Sequence, residues 1–308
     1  MMESKRLVVL CGPTATGKTA LAVELAKRLG GEIVSADSMQ VYRGMDIGTA
    51  KPTLEDRQGI PHHMLDMIDP GESYSVQLYQ QQARRCIEEI TARGHLPILC
   101  GGTGLYINAV VYPLDFTDQP PDPNQRQQWA ALAEREGPKA LHRLLEARSP
   151  ALAAEIHPNN VKRVIRALEA QPAGAARTVF AREPLYRLAW LGLRAANRDG
   201  LYARIDQRVD RMMDQGLLDE VRSLAKGTLS QTAAQAIGYK EILAHLNGTV
   251  SLSEAVEEIK RGSRRYAKRQ MTWFRREPAI HWMDIDAASI VALVDAALGY
   301  IRPALGIE

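Results

Sequence analysis

Apolar residues in the first third of the chain fall into two alternating patterns. Continuous apolar runs at 6–11, 32–36 and 96–100 are short and end in Gly, Asp or Cys-Gly, as strands buried on both faces do. Between them, over 18–29, 75–93 and 103–112, apolar positions return every three or four residues and predict amphipathic helices. A weaker strand candidate lies at 62–67. Strands alternating with helices of this length predict a parallel sheet with helices on both faces. Right-handed crossovers would bring the carboxyl ends of its strands to one ligand-binding edge.

The alternation stops at 113–123, where four prolines fall within eleven residues and cannot continue a helix. From 124 to about 170 only the helical period remains, with helices expected at 124–136, 138–147 and 159–170. The apolar run 185–193 reads as a return to the sheet. Helices at 198–215, 217–226 and 252–276, a strand at 279–284 and a helix at 287–300 follow. The expected architecture is an α/β core in two pieces, 1–113 and 186–308, interrupted by an all-helical insertion at 114–185.

Composition changes this picture little. The 308 residues are 45% hydrophobic and 24% charged, ordinary values for a globular protein, and the net charge of +3 by itself names no partner. Cys11, Cys86 and Cys100 form no paired framework and no metal-binding spacing, and the two that end strand-like runs, Cys11 and Cys100, are expected to be buried free thiols. No apolar stretch approaches the length of a membrane span, and the start runs straight into the first strand, leaving no room for a signal peptide; a cytoplasmic protein is expected.

Candidate chemistry begins directly behind the first strand. Gly12-Pro13-Thr14-Ala15-Thr16-Gly17-Lys18-Thr19 has the G-x-x-x-x-G-K-T spacing of a phosphate-binding loop between a strand and a helix. Its glycines allow backbone N–H groups to converge on phosphate oxygens, the helix directs its positive end there, Lys18 adds charge and Thr19 can hold Mg²⁺. The core is therefore expected to be P-loop NTPase-like. Asp37, after the second strand, is either a general base beside the phosphate or a turn former with Ser38. After 96–100, where many ATPases place a magnesium-holding Asp, stands Gly101-Gly102-Thr103-Gly104, a turn that admits close approach of backbone or ligand, with Thr103 able to cap the next helix. Arg204, Arg208 and Arg211 share one helical face; a diphosphate contact and pairing with Asp206 and Asp210 compete as readings, the latter for two of the three.

The strongest charge feature is the segment 257–277, with eight Lys/Arg against three Glu, a net +5. Arg261, Arg264, Arg265, Lys268 and Arg275 fall on one stripe, and Ile259, Tyr266, Met271 and Phe274 on another, which reads as a track for a polyanion. Lys162, Arg163 and Arg166 repeat the theme in the insertion. His62 and His63 are adjacent and, in a strand, point to opposite faces, so a structural role is expected rather than a shared metal.

The chain resembles the bacterial tRNA dimethylallyltransferases (tRNA isopentenyltransferases) over nearly its whole length. The resemblance is carried by GPTATGKT at 12–19, SADSMQVYRGMDIGTAKP at 35–52, PHHMLD at 61–66, GGTGLY at 101–106, HPNNVKRVIRALE at 157–169, AIGYKEIL at 236–243 and KRQMTWFR at 268–275. It implies transfer of a dimethylallyl group from dimethylallyl diphosphate to N6 of adenine 37 in tRNAs reading codons that start with U, with Mg²⁺ as cofactor. It further implies that Asp37 is the base, that Lys18, Arg208 and Thr103 are catalytic, and that Gly12 to Thr19 hold the diphosphate. Contacts to tRNA are implied for Asp37, Ser38, Met39, Gln40, Arg126, Lys162, Arg163, Arg166, Arg264, Arg265 and Lys268. The segment 170–182 departs from the family pattern, and no contact is carried over to it. A monomer without membrane attachment is expected. An adenylate isopentenyltransferase, a small-molecule or nucleoside kinase with the same loop, and a non-catalytic RNA-binding module are the alternatives.

Overall fold

The computed structural model describes residues 5–114, 116, 122–169, 183–286 and 289–307. The chain divides into two compact units, Met1–Leu114 with Arg182–Glu308, and Asp115–Ala181. The first unit opens with β1 (Arg6–Cys11), α1 (Lys18–Leu29), β2 (Gly31–Ser35), α2 (Leu54–Arg57), β3 (His62–His63), α3 (Val76–Ala92), β4 (Leu96–Gly101) and α4 (Gly104–Val111). The second holds α5 (Pro123–Glu136), α6 (Pro138–Arg148), α7 (Pro150–Glu155) and α8 (Val161–Glu169). The first resumes with β5 (Arg187–Arg194), α9 (Arg198–Asp214), α10 (Leu217–Leu224), α11 (Gln231–Ala234), α12 (Tyr239–Leu246), α13 (Leu252–Phe274), β6 (His281–Asp284) and α14 (Ile290–Leu305).

The strands form one six-stranded sheet in the order β3-β2-β4-β1-β5-β6, with every pairing parallel. β1 pairs with β4 from Val8↔Ile98 to Cys11↔Gly101 and with β5 from Arg6↔Arg187 to Cys11↔Gly192. The chain first builds outward on the β4 side and then on the β5 side, so the order reverses at β1. Its carboxyl end is the switch point where open parallel sheets bind ligands. Leu7 to Cys11 are all fully buried, as a central strand covered on both faces requires. Val8 and Leu10 join Leu21, Leu25, Val294, Leu298 and Ile301 in a core under α1 and α14. On the opposite face Tyr79 of α3 reaches the sheet, its hydroxyl donating to the Ser35 carbonyl at 2.9 Å.

A second core of the same unit joins the loop after β2 to the late helices: Tyr42 and Met45 pack with Val209, Leu217, Val221, Tyr239, Ile242 and Ile259. Two charged clamps hold that loop. The Glu220 carboxylate accepts from the amides of Asp46, Ile47 and Gly48 at 3.0, 2.7 and 3.1 Å and from the Tyr239 hydroxyl at 2.6 Å. Lys51, buried, donates to the Tyr42 carbonyl and to the carboxylates of Asp46 and Asp66 at 2.6–2.7 Å. In the helical unit α5, α6, α7 and α8 close around Trp129, Leu141, Leu145, Ile156, Val164 and Leu168.

Several elements differ from the sequence reading. The strand expected at 62–67 is only His62–His63, because Met64 and Asp66 take left-handed backbone, φ 63° and 55°, and bend the chain away. α2, α7, α11 and α12 were not expected; each is only four to eight residues long, too short for a helical period to stand out. The last helix begins at Ile290 and runs through Pro303 to Leu305 instead of stopping at 300; Gly306, at φ 60°, closes it. The proline-rich boundary lies outside the described residues at 115 and 117–121, as does the segment 170–182. No described helix is long and apolar enough to cross a membrane.

Candidate active site

The loop after β1 is shaped by its own residues. Gly12 has φ 144°, and a Cβ there would lie 2.5 Å from the Leu193 carbonyl of the neighbouring strand, so no side chain fits. Ala15 and Gly17 take left-handed backbone at φ 62° and 79°, the alternation that turns successive N–H groups into an anion-binding concavity. Thr16 donates to the Pro13 carbonyl at 2.8 Å, and Lys18 Nζ folds back onto the same oxygen at 2.6 Å. α1 starts at Lys18 with no acidic side chain in its first turn, which leaves its positive end to a ligand. Burial pushes the Lys18 ammonium down to about 8; the charge of Arg208 acts in the same direction, and that of Asp37 opposes it.

Three strand-end loops and a helix meet around one cavity of about 420 Å³. Thr14, Lys18 and Thr19 line it from β1 and α1, Asp37 to Gln40 from the end of β2, Gly101 and Gly102 from the end of β4, and Arg208 from α9. Asp37 forms the turn and also lines the cavity. Its Oδ1 accepts from the amides of Met39 and Gln40 at 2.8 and 3.4 Å, an Asx-type turn, and its carboxylate still faces the cavity. Arg208 is largely buried beside it; burial lowers the guanidinium's affinity for its proton, and Asp37 partly restores it. Thr103 stands at the start of α4, but its hydroxyl does not cap the helix as expected. It accepts from the Ser38 amide at 3.1 Å and lies 3.4 Å from the Ser38 hydroxyl, which ties the β4 turn to the β2 loop.

The glycine turn after β4 is explained by close approach of backbone and side chain. A Cβ on Gly101 would lie 2.2 Å from the Ala36 carbonyl oxygen, and one on Gly102 2.2 Å from Gln270 Nε2. One on Gly104 would lie 2.1 Å from the Trp273 ring. α13 thus seats directly on the turn, and Tyr266, Arg269 and Gln270 from this helix complete the cavity wall. Burial, and then the Asp37 charge, push the Tyr266 hydroxyl up to about 12. The lining also has an apolar part, formed by Ile205, Val209, Met212, Ile237 and Ile259.

The charged face of α13 needs two corrections. Asp206 and Asp210 of α9 were expected to pair with arginines of their own helix. They pair across to α13 instead, Arg264 Nη1 lying 2.5 and 2.6 Å from the Asp206 oxygens and Lys260 2.7 Å from Asp210, while Arg204 pairs with Asp286. The two helices lie side by side, so opposite charges meet at the seam. Arg261 pairs with Glu258 along the helix, whereas Arg265 and Lys268 are exposed and form no ion pair among the described residues. In the helical unit Arg126 holds Glu169 in a two-pronged ion pair at 2.7 and 2.8 Å, and Lys162, Arg163 and Arg166 are exposed on α8. The buried stripe of α13 is the second correction. Gln270, 5% exposed, takes the place expected for Met271, and with Ile259, Ala267 and Phe274 it faces inward. A polar residue at a position spaced with the apolar stripe was the signal that could have singled it out. His63 pairs with Glu32 at 2.6 Å, and His62 Nδ1 lies 2.9 Å from the Ile60 carbonyl.

A family model described as IPP transferase matches residues 40–277, and one described as Isopentenyl transferase matches 5–73. A tRNA dimethylallyltransferase of Geobacillus thermodenitrificans is 48% identical over 312 aligned residues, covering 99% of both chains. That of Bacillus subtilis is 50% identical, covering 91% of this chain and 90% of its own. Among solved structures, a full-length tRNA isopentenylpyrophosphate transferase of Bacillus halodurans superposes with a TM-score of 0.73 at 46% identity, covering 97% of this chain and 98% of the other. A eukaryotic dimethylallyltransferase acting on tRNA gives 0.79 at 28% identity, covering 97% of this chain and 80% of its own. With the phosphate loop, the Asp37 turn and the β4 glycines in these positions, the chain belongs to the IPP transferase family, alongside the tRNA dimethylallyltransferases.

Proposed function

We infer that the protein transfers a dimethylallyl group from dimethylallyl diphosphate to N6 of adenine 37 in tRNAs reading codons that start with U, releasing diphosphate. The observation that carries this reading is a single cavity with a phosphate loop at one end, a carboxylate and an arginine beside it, and no acid after β4. The exocyclic amine of adenine is a weak nucleophile because its lone pair is delocalised into the ring. As N6 bonds to C1 of the dimethylallyl group, the C1–O bond breaks, its electron pair leaves with the diphosphate, and the N6 proton passes to Asp37. The loop amides, Lys18 and Arg208 stabilise the charge that develops on the leaving group. Ile205, Val209 and Met212 offer the C5 chain an apolar wall, and Thr103 and Ser38 place the base-bearing turn. The exposed Thr19 hydroxyl and the Asp37 carboxylate are hard oxygen donors of the kind that hold Mg²⁺ together with substrate phosphates. When bound, the ion would neutralise part of the diphosphate charge.

Adenine 37 must leave its stack to reach the cavity, a cost of a few kcal/mol that contacts to the RNA offset. The exposed cations that support this part of the reading are Arg265 and Lys268 on α13 and, in the helical unit taken by itself, Lys162, Arg163 and Arg166 on α8; Arg126 and Arg264 are already held by carboxylates. The reading makes the protein a cytoplasmic monomer. The test is to incubate the protein with Mg²⁺, dimethylallyl diphosphate and either tRNA, AMP or an ATP/acceptor mixture, and to find by mass spectrometry which product gains the C5 unit. The expected product is tRNA carrying it at adenine 37. Asp37→Ala is expected to lower turnover about 10²- to 10⁴-fold with tRNA affinity nearly unchanged. Label on AMP alone, or phosphate transfer alone, would overturn the assignment.

A further inference from the structure

We propose that Gln270 is a positioning residue through which α13 sets the geometry of the phosphate loop, an inference that rests on the reaction above. Its carboxamide is used in both directions. Oε1 accepts from the Thr14 amide at 3.0 Å, and Nε2 donates to the Gly102 carbonyl at 3.0 Å. One side chain therefore joins the loop after β1 to the turn after β4, bridging sequence separations of 256 and 168 positions. Thr14 immediately precedes Ala15, where the phosphate loop reverses at φ 62°, so fixing its amide fixes the plane from which the next N–H groups are presented. Tyr266, one turn earlier on α13, lines the same cavity, and on the far side of the Gly102 turn the Thr103 hydroxyl accepts from the Ser38 amide, which extends the connection to the Asp37 turn.

The requirement for a carboxamide follows from what other side chains would do. A glutamate accepts from Thr14 but cannot donate to Gly102, and it sets a negative charge beside the diphosphate. A methionine fills the space and leaves both backbone groups unpaired in a buried place, which proteins avoid. The approach is also close: a Cβ on Gly102 would meet the end of the Gln270 side chain and displace it, and one on Gly104 would meet the Trp273 ring. The outward face of the same helix carries the exposed Arg265 and Lys268. The helix proposed to grip RNA thus also holds the diphosphate loop in shape.

The test compares Gln270→Met, which keeps the volume and removes both hydrogen bonds, with Gln270→Glu, which keeps the acceptor. In the Met variant the KM for dimethylallyl diphosphate and the dissociation constant for pyrophosphate are expected to rise about tenfold or more. The tRNA dissociation constant should stay within about twofold of wild type and the unfolding midpoint close to it. Gln270→Glu is expected to weaken pyrophosphate binding further. Unchanged diphosphate constants in Gln270→Met, or an equal loss for tRNA and diphosphate, would overturn the proposal. Should Gln270→Met not fold, wild-type-like pyrophosphate binding by Gln270→Glu would overturn it equally. Pyrophosphate binding by calorimetry needs only the loop. It therefore tests Gln270 even if the wild-type protein proves to transfer nothing to tRNA, an outcome that would defeat the reaction and not this role.

Discussion

At Lys18 the cost of burying an ammonium becomes a pH dependence. Its Nζ sits against the Pro13 carbonyl, and burial holds its pKa down near 8. The charged form is the one that attracts phosphate, and it is lost from the free protein as pH rises through that value; a bound anion pulls the pKa back up. Pyrophosphate affinity is therefore expected to fall by up to about tenfold per pH unit above pH 8. Calorimetric titrations on either side of that pH, with Lys18→Met as control, check this, because pyrophosphate titrates in its own right. If wild type and variant lose affinity in parallel, Lys18 is not the titrating group. Asp37 is the other residue whose role turned on its surroundings. One oxygen builds the turn and the carboxylate still reaches the cavity, so the two readings that the sequence opposed are compatible.

Between elements, the tightest contact is the seating of the β4 turn against β2 and α13. A methyl group at Gly101 meets the Ala36 backbone at 2.2 Å, which cannot move without displacing a strand of the sheet. A methyl group at Gly102 meets only the far end of the Gln270 side chain, which can rotate away. Gly101→Ala is therefore expected to destabilise the fold by roughly 1–3 kcal/mol or more, and Gly102→Ala by less. Gly102→Ala should instead reproduce the Gln270 phenotype in diphosphate binding. Urea unfolding of the two variants decides it, and equal losses would contradict this steric account. α13 also shows why helical period alone misassigned a residue. Gln270 and Met271 are neighbours a fraction of a turn apart, and which one faces inward depends on the angle at which the helix meets the turn.

At the scale of the molecule, charge is sorted by packing. Arg264 and Arg265 are adjacent in sequence, yet one is held by Asp206 and the other is exposed. Replacing Arg265 and Lys268 together by Ala is expected to weaken tRNA binding and to reduce the slope of log affinity against log salt by up to about two. Arg264→Ala should leave that slope almost unchanged and lower stability instead, because it strips the partner from a half-buried carboxylate. Filter-binding titrations at several salt concentrations separate the two; a larger change of slope in Arg264→Ala would reverse the assignment. The +5 of 257–277 was visible in the sequence, but its division between seam and surface was not, since the neutralising acids belong to α9.

What the sequence determined by itself is what local physics controls. The strand–loop–helix at 6–29, the alternation that builds a parallel sheet, and the position of Asp37 and the glycine turn at strand ends all follow from residue types and spacings a few positions apart. Tertiary structure alone decided which distant groups meet. It closed Gln270 onto Thr14 and Gly102, drew Arg264 to Asp206, anchored the 46–48 amides on Glu220, and turned the Thr103 hydroxyl to Ser38. Such contacts depend on the order in which strands cross the sheet and on the register at which helices dock, and neither is encoded in any one segment.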